Sequence, residues 1–197
     1  MSVPETGLAP VAPAGLTCAP LATDIIELAA LRDRVHVVRT LGARRGLNFP
    51  AFGRIAAARD ILVLSVRPER WLLLTPPAPP GAALASWHGA CAGCAAAVEL
   101  SSALTVLHLA GPAVRDVLAR GCRLDLHPDV FPAASAAASH MAQVPVVLAA
   151  LPAGWLLLTP SSTARHFREW LNAAAAPFGL ESRGSVTVAT LSKEEPE

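Results

Sequence analysis

Asp125, His127 and Asp129 stand at alternate positions in RLDLHPDVFP (Arg123–Pro132), a combination of side chains that does chemistry in many proteins. In a loop, two carboxylates flanking an imidazole could hold a metal ion or orient a proton acceptor. Pro128 and Pro132 pin the same stretch, and a rigid turn whose polar groups cap the preceding helix accounts for it better. The turn is the reading adopted.

Cysteine offers a second possibility. Cys91 and Cys94 form CAGC, with His88 three residues upstream, while Cys18 and Cys122 stand alone. A structural zinc site needs four ligands, and one CxxC without a second pair supplies too few. Small thiols packing a helix are the simpler account.

A third grouping is cationic. Arg39, Arg44, Arg45 and Arg54 cluster around Gly42–Pro50, beside Asn48 and Phe49. Guanidinium groups in an irregular segment could grip a carboxylate or phosphate in bidentate fashion, or dock on an acidic surface of another subunit. Docking is favoured. The six histidines are otherwise dispersed. His36 in VHVVR and His108 in LTVLHLA are expected in matching strands, which points to structural or interface positions. No G-x-G-x-x-G follows a strand, and there is no phosphate loop, H-E-x-x-H or G-x-S-x-G elbow. No catalytic, cofactor-binding or metal-binding residue is therefore assigned.

Composition narrows the function classes. The formal net charge of +1 and the absence of a basic stripe interleaved with aromatics argue against nucleic-acid binding. No apolar run approaches the ~20 residues of a membrane span. The first twenty residues carry four prolines and no basic n-region, so the protein is expected to be cytoplasmic. Charged residues make up only 16%, against about 25% in ordinary soluble domains, and four tryptophans are present. So few charges suit a surface partly covered by other chains.

The elements that must position these residues alternate between strand and helix. WLLLTP occurs twice, at Trp71–Pro76 and Trp155–Pro160. Each copy ends a strand pair: ILVLSV (Ile61–Val66) turns through RPER into the first, and VPVVLAAL (Val144–Leu151) turns through PAG into the second. A helix follows each. Ala82–Ala92 carries Leu84 and Trp87 on one face, and Phe167, Trp170, Leu171 and Ala174 form a core-facing stripe with i, i+3, i+4, i+7 spacing. Both Trp87 and Trp170 are expected in the core. GPAVRDVLARGC should form a further helix, with Gly121 as its stop. Matching order and matching spelling together indicate internal duplication.

The predicted fold is α+β, two ferredoxin-like halves with mostly antiparallel sheet. Residues 1–22 are read as a flexible leader. Residues 23–190 form a single domain of two half-repeats, about 23–100 and 101–190, and 191–197 are an acidic tail. The crossover LGARRGLNFPAFGRIAA is expected to be irregular.

Several stretches together resemble the gamma subunit of heterotetrameric sarcosine oxidases. These are VELSSALTVLHLAGPAVRDVLARGCRLDLHPDVFP, ILVLSVRPERWLLL and the final HFREWLNAAAAPFG. The resemblance covers about Asp24 to Gly179. It implies the duplicated fold of the folate-binding domain of aminomethyltransferases. It also implies assembly with alpha, beta and delta subunits into a flavoenzyme that oxidatively demethylates sarcosine to glycine, with hydrogen peroxide and formaldehyde or methylene-tetrahydrofolate as the other products. FAD, FMN, NAD, tetrahydrofolate and zinc are expected in the partner subunits and none in this chain. Iron–sulfur maintenance proteins of similar fold carry K-G-C-x-x-G-Q, whereas Arg120-Gly121-Cys122 here is followed by Arg123-Leu124-Asp125. Two alternatives stay open: a stand-alone binder of folate or an anionic metabolite, and a gamma-like subunit of an oxidase for another N-methyl amino acid.

Overall fold

A computed structural model describes residues 15–191. The chain runs through β1 (Leu16–Ala22), β2 (Asp24–Ala30), α1 (Val35–Arg44), β3 (Ile55–Ala58), β4 (Ile61–Arg67), β5 (Arg70–Thr75), α2 (Ala82–His88) and β6 (Ala95–Glu99). It continues with β7 (Leu104–Ala110), α3 (Val114–Ala119), β8 (Ala136–Met141), β9 (Val144–Leu151), β10 (Gly154–Pro160) and α4 (Ala164–Ala175). Two short strands, β11 (Leu180–Ser182) and β12 (Val186–Thr187), lead into α5 (Val188–Leu191).

The strands form two sheets. One has the order β3-β4-β5-β2-β6, antiparallel throughout. The other runs β11-β1-β7-β10-β9-β8, with β12 beside the end of β1. Without the edge strands β3 and β8, β4-β5-β2-β6 and β9-β10-β7-β1 have the same order. Both halves are ferredoxin-like, as the order of elements in the sequence implies.

The second half is closed by a strand from the chain's beginning. β1 pairs antiparallel with β7 (Cys18 opposite Leu109), in the place that β6 takes beside β2. β11 is displaced outward and runs parallel to β1, with Leu16 opposite Leu180. The expected leader is therefore corrected: Leu16–Ala22 is an interior strand, and Leu16 is fully buried. Residues 1–14 of the proposed leader, and all of the acidic tail except Leu191, lie outside the described residues. Pro20, which made the segment look unstructured, falls in the gap between the β11 and β12 pairings, where no strand asks for its missing N–H.

A second correction concerns VHVVR. It opens α1 rather than a strand, so His36 is an exposed helical residue with no counterpart in His108. The β-branched residues suggested a strand over five positions. Over ten, Val38 and Gly42 are buried on one face while His36, Arg39, Thr40 and Arg44 point outward, which is helical spacing. Gly42 lets the helix approach the Phe49 ring, which a Cβ there would meet at 2.5 Å. SVTVATL (Ser185–Leu191), whose alternating valines suit a strand, is strand only at Val186–Thr187 before α5 begins.

The repeated hexapeptide follows from four layers, helix–sheet–sheet–helix. Trp71 and Leu73 face the core beneath α1 and α2, and Trp155 and Leu157 face the core beneath α3 and α4. Leu72, Leu74, Leu156 and Leu158 turn the other way and meet in one apolar layer between the sheets. Alternation along a strand sends successive residues to opposite faces, so a strand buried on both must be apolar without interruption. Each fully buried leucine adds about 1.5–3 kcal/mol of transfer free energy. In α4, Phe167, Leu171 and Ala174 are buried, as their spacing predicts.

Candidate functional site

The Asp125–His127–Asp129 segment is a turn held from beneath by α3. The Arg115 guanidinium on that helix donates to the backbone carbonyls of Leu126 and Phe131 and lies 4.9 Å from the centre of the Trp155 indole. Trp155 stacks on Phe131 at 5.4 Å. Within the turn, the Asp125 carboxylate accepts the His127 backbone N–H at 2.9 Å, and His127 Nδ1 accepts from the Asp129 N–H at 3.4 Å. The His127 and Asp129 side chains are 63% and 90% exposed, so their 3.5 Å approach lies in water and contributes little. The Asp125 and His127 side chains thus satisfy the turn's own backbone, and the Asp129 carboxylate points into water.

Cys91 and Cys94 lie in the core after α2, where the Cys94 thiol donates to the Cys91 carbonyl at 3.3 Å. Burial is the main force raising the Cys91 thiol above its ordinary value, with Cys94 adding to the rise and Arg45 opposing it. A thiol held protonated is a poor nucleophile and a poor metal ligand. His88 is exposed at the end of α2. No group of three or more His, Cys, Asp or Glu among the described residues could hold a metal ion.

The arginines of the first crossover do not converge on one anion. Arg45 donates to the Ser86 carbonyl at 2.8 Å and covers the Trp87 ring at 4.3 Å. Arg54 reaches Ser135 Oγ at 3.3 Å in the second half, while Arg39 and Arg44 point to solvent from α1. Trp87 is buried and Trp170 half-buried. Gly121 is not in a left-handed conformation; it is small because a Cβ there would meet the Trp170 ring at 2.3 Å. His108 is buried in β7 beside Gly154, whose absent Cβ would come within 2.7 Å of its Nε2.

A cleft of about 460 Å³ opens where the two sheets splay apart, a volume in the ordinary range of ligand sites. Val66, Leu72, Leu104, Val147 and Leu158 line its apolar floor; Glu27, Arg67, Arg70 and His140 stand at its mouth. Arg70 is bound to Glu27 at 2.8 Å. The cleft can hold an apolar group with a polar end. Its walls come from strands of both halves, and neither Arg67 nor Arg70 forms a motif that would have drawn attention in the sequence.

The family follows from comparison with known proteins. Residues 34–177 match the sarcosine oxidase, gamma subunit family, and this span holds α1 through α4. The chain belongs to that family. It is 34% identical over 122 residues to the sarcosine oxidase subunit gamma of Corynebacterium sp. strain P-1, a match spanning 60% of this chain and 59% of that subunit. The Arthrobacter subunit gamma is 34% identical over 143 residues, 70% of this chain and 69% of the relative. Among solved structures, the chain resembles one in the heterotetrameric sarcosine oxidase of Corynebacterium sp. U-96, which was determined with pyrrole 2-carboxylate. The TM-score is 0.75 at 31% identity, with 85% of this chain and 88% of that chain covered. Glycine cleavage system aminomethyltransferase T of Bartonella henselae shares the fold at a TM-score of 0.60, with 15% identity over 90% of this chain and 49% of that chain. The resemblance to aminomethyltransferases is thus a resemblance of architecture. No helix among the described residues is long and apolar enough to cross a membrane.

Proposed function

We propose that this gamma-family chain is a non-catalytic subunit of a heterotetrameric sarcosine oxidase, supporting its assembly with alpha, beta and delta subunits. The complex would oxidise sarcosine to glycine in the cytoplasm, releasing hydrogen peroxide and formaldehyde or methylene-tetrahydrofolate. FAD, FMN, NAD, tetrahydrofolate and zinc would belong to the partner subunits. The observation that carries this reading is the use made of GPAVRDVLARGCRLDLHPDVFP, the block whose likeness to the family is most specific. Its functional groups are spent on architecture: Arg115 clasps the Leu126 and Phe131 carbonyls, Asp125 closes its own turn, and Gly121 seats Trp170. A block built this way holds a shape for partners rather than a reacting group for substrate.

Purification from the native cells tests the proposal. The chain should emerge at a fixed ratio with three other polypeptides, in a yellow fraction that consumes oxygen when given sarcosine. Recovery as a colourless species with no flavoprotein attached would overturn it.

A further inference from the structure

Between Arg34 and Arg59 the chain carries six arginines and His36 but no aspartate or glutamate. The outward face of α1 presents His36, Arg39, Thr40 and Arg44. The arginine ion pairs among the described residues join Arg70 to Glu27, Arg165 to Glu169 and Arg183 to Glu181; none draws on this stretch. Arg45 and Arg54 bond only to neutral oxygens. In a chain of net charge +1, six arginines thus fall in one segment, bracketed by Asp33 and Asp60, with no ion pair to any of them among the described residues.

The same segment carries an apolar anchor. After α1 the chain folds back, with the Leu47 N–H on the Gly42 carbonyl and the Trp71 indole N–H on the Pro50 carbonyl. Phe52 then emerges with 63% of its surface exposed, the most exposed of the large apolar side chains. Its backbone is fixed. Ile55 N–H donates to Ala134 O and Ala136 N–H to Gly53 O, both at 2.9 Å, which ties the loop to the second half. Val130, 61% exposed, stands on the adjoining loop a few residues before Ala134. An exposed aromatic on a hydrogen-bonded loop, in a segment that also carries six arginines, has the composition of an interface hot spot.

We propose that this acid-free face, residues 34–59 with Phe52 as its anchor, docks on a partner subunit at an acidic surface that surrounds an apolar pocket. The proposal rests on the assembly reading above and adds the face and the partner's chemistry to it. Unpaired arginines attract carboxylates and exclude basic surfaces, and Phe52 needs a dry site to bury its ring. A phosphate backbone would satisfy the charge but offer Phe52 and Val130 no apolar pocket.

The test uses the full chain co-expressed with its partner subunits, one of which is tagged. Arg39→Glu with Arg44→Glu, and separately Phe52→Asp, should each lower the amount retained by roughly tenfold or more. Arg165→Glu, a matched reversal on exposed α4, should leave retention unchanged, and added salt should weaken wild-type retention. Circular dichroism of each variant establishes that it is folded. Wild-type retention matched by all variants would overturn the face assignment and leave the assembly reading standing. A wild-type chain that is not retained would overturn both. Nuclease-sensitive nucleic acid on the face, or a second copy of this chain held there through Phe52, would also overturn it.

Discussion

Arg115 and Trp155 face each other across the second half, with the guanidinium 4.9 Å from the indole centre and its N–H groups on the carbonyls of Leu126 and Phe131. One side chain thus joins α3, the turn before β8 and strand β10. Arg115→Met keeps much of the volume but leaves both carbonyls without their donor. Stability should fall by about 1–3 kcal/mol, read as a lower urea midpoint. Arg115→Lys should recover little, because a point charge does not reproduce the planar fork that serves two acceptors and an aromatic face.

Gly154 is the sharpest backbone constraint in the second hairpin. Its φ is 142°, and a Cβ there would come within 2.4 Å of the Leu109 carbonyl oxygen. Gly154→Ala should therefore cost more than the ~1 kcal/mol typical of a point mutation. Gly81→Ala, also at positive φ but with nothing within 4 Å, should cost clearly less. Equal thermal midpoints for the two variants would contradict this ranking.

The buried thiols impose a pH dependence. Burial, the largest cause in each case, raises the folded-state value of Cys18 and Cys91 above the ordinary 9.0, with Arg168 and Arg45 opposing it. The unfolded chain releases these protons first, so at alkaline pH it binds fewer protons than the native state. The stabilisation is complete below about pH 9 and is lost as pH rises through the folded values. Urea midpoints should decline above pH 9, less steeply in Cys91→Ala, and alkylation of the native protein at pH 8 should be slow.

Removing residues 1–22 should destroy the second half, because β7 and β11 lose the strand between them. The expected outcome is insoluble protein or a chain without a cooperative transition. Leu16→Ala, a subtler change at a fully buried site, should cost about 2–5 kcal/mol in the same assay. A leader without structure would tolerate both.

His127→Ala should leave stability within about 0.5 kcal/mol and the oxidase activity of the assembled complex unchanged, since the ring is exposed and accepts one long bond of 3.4 Å. A pronounced activity loss would return the Asp125–His127–Asp129 group to consideration as a chemical site.

Much of the architecture was legible where signals were local. Each hexapeptide alternates between the helix-covered core of its own half and the one layer between the sheets, and Phe167, Leu171 and Ala174 mark the buried stripe of α4. The failures came where distant chain overrode local preference. VHVVR has strand-like residues, yet contact of Val38 and Gly42 with the layer around Phe49 makes it helical. LTCAPLA contains a proline and no β-branched residue but Thr17, and becomes a strand because β7 and β11 leave a place for it. The inter-sheet cleft was not legible at all, because Leu72 and Val147 meet only after both halves have folded.

The ribosome makes β1 first, although the partners of that strand come late. Its neighbours are β7, in mid-chain, and β11, where Leu16 meets Leu180. The first sheet has all its strands once Glu99 has emerged, so it can form during synthesis, whereas the second must wait for Ser182. A polypeptide cut short before Leu180 therefore leaves one edge of β1 without its parallel neighbour, and an uncovered strand edge invites pairing with other chains.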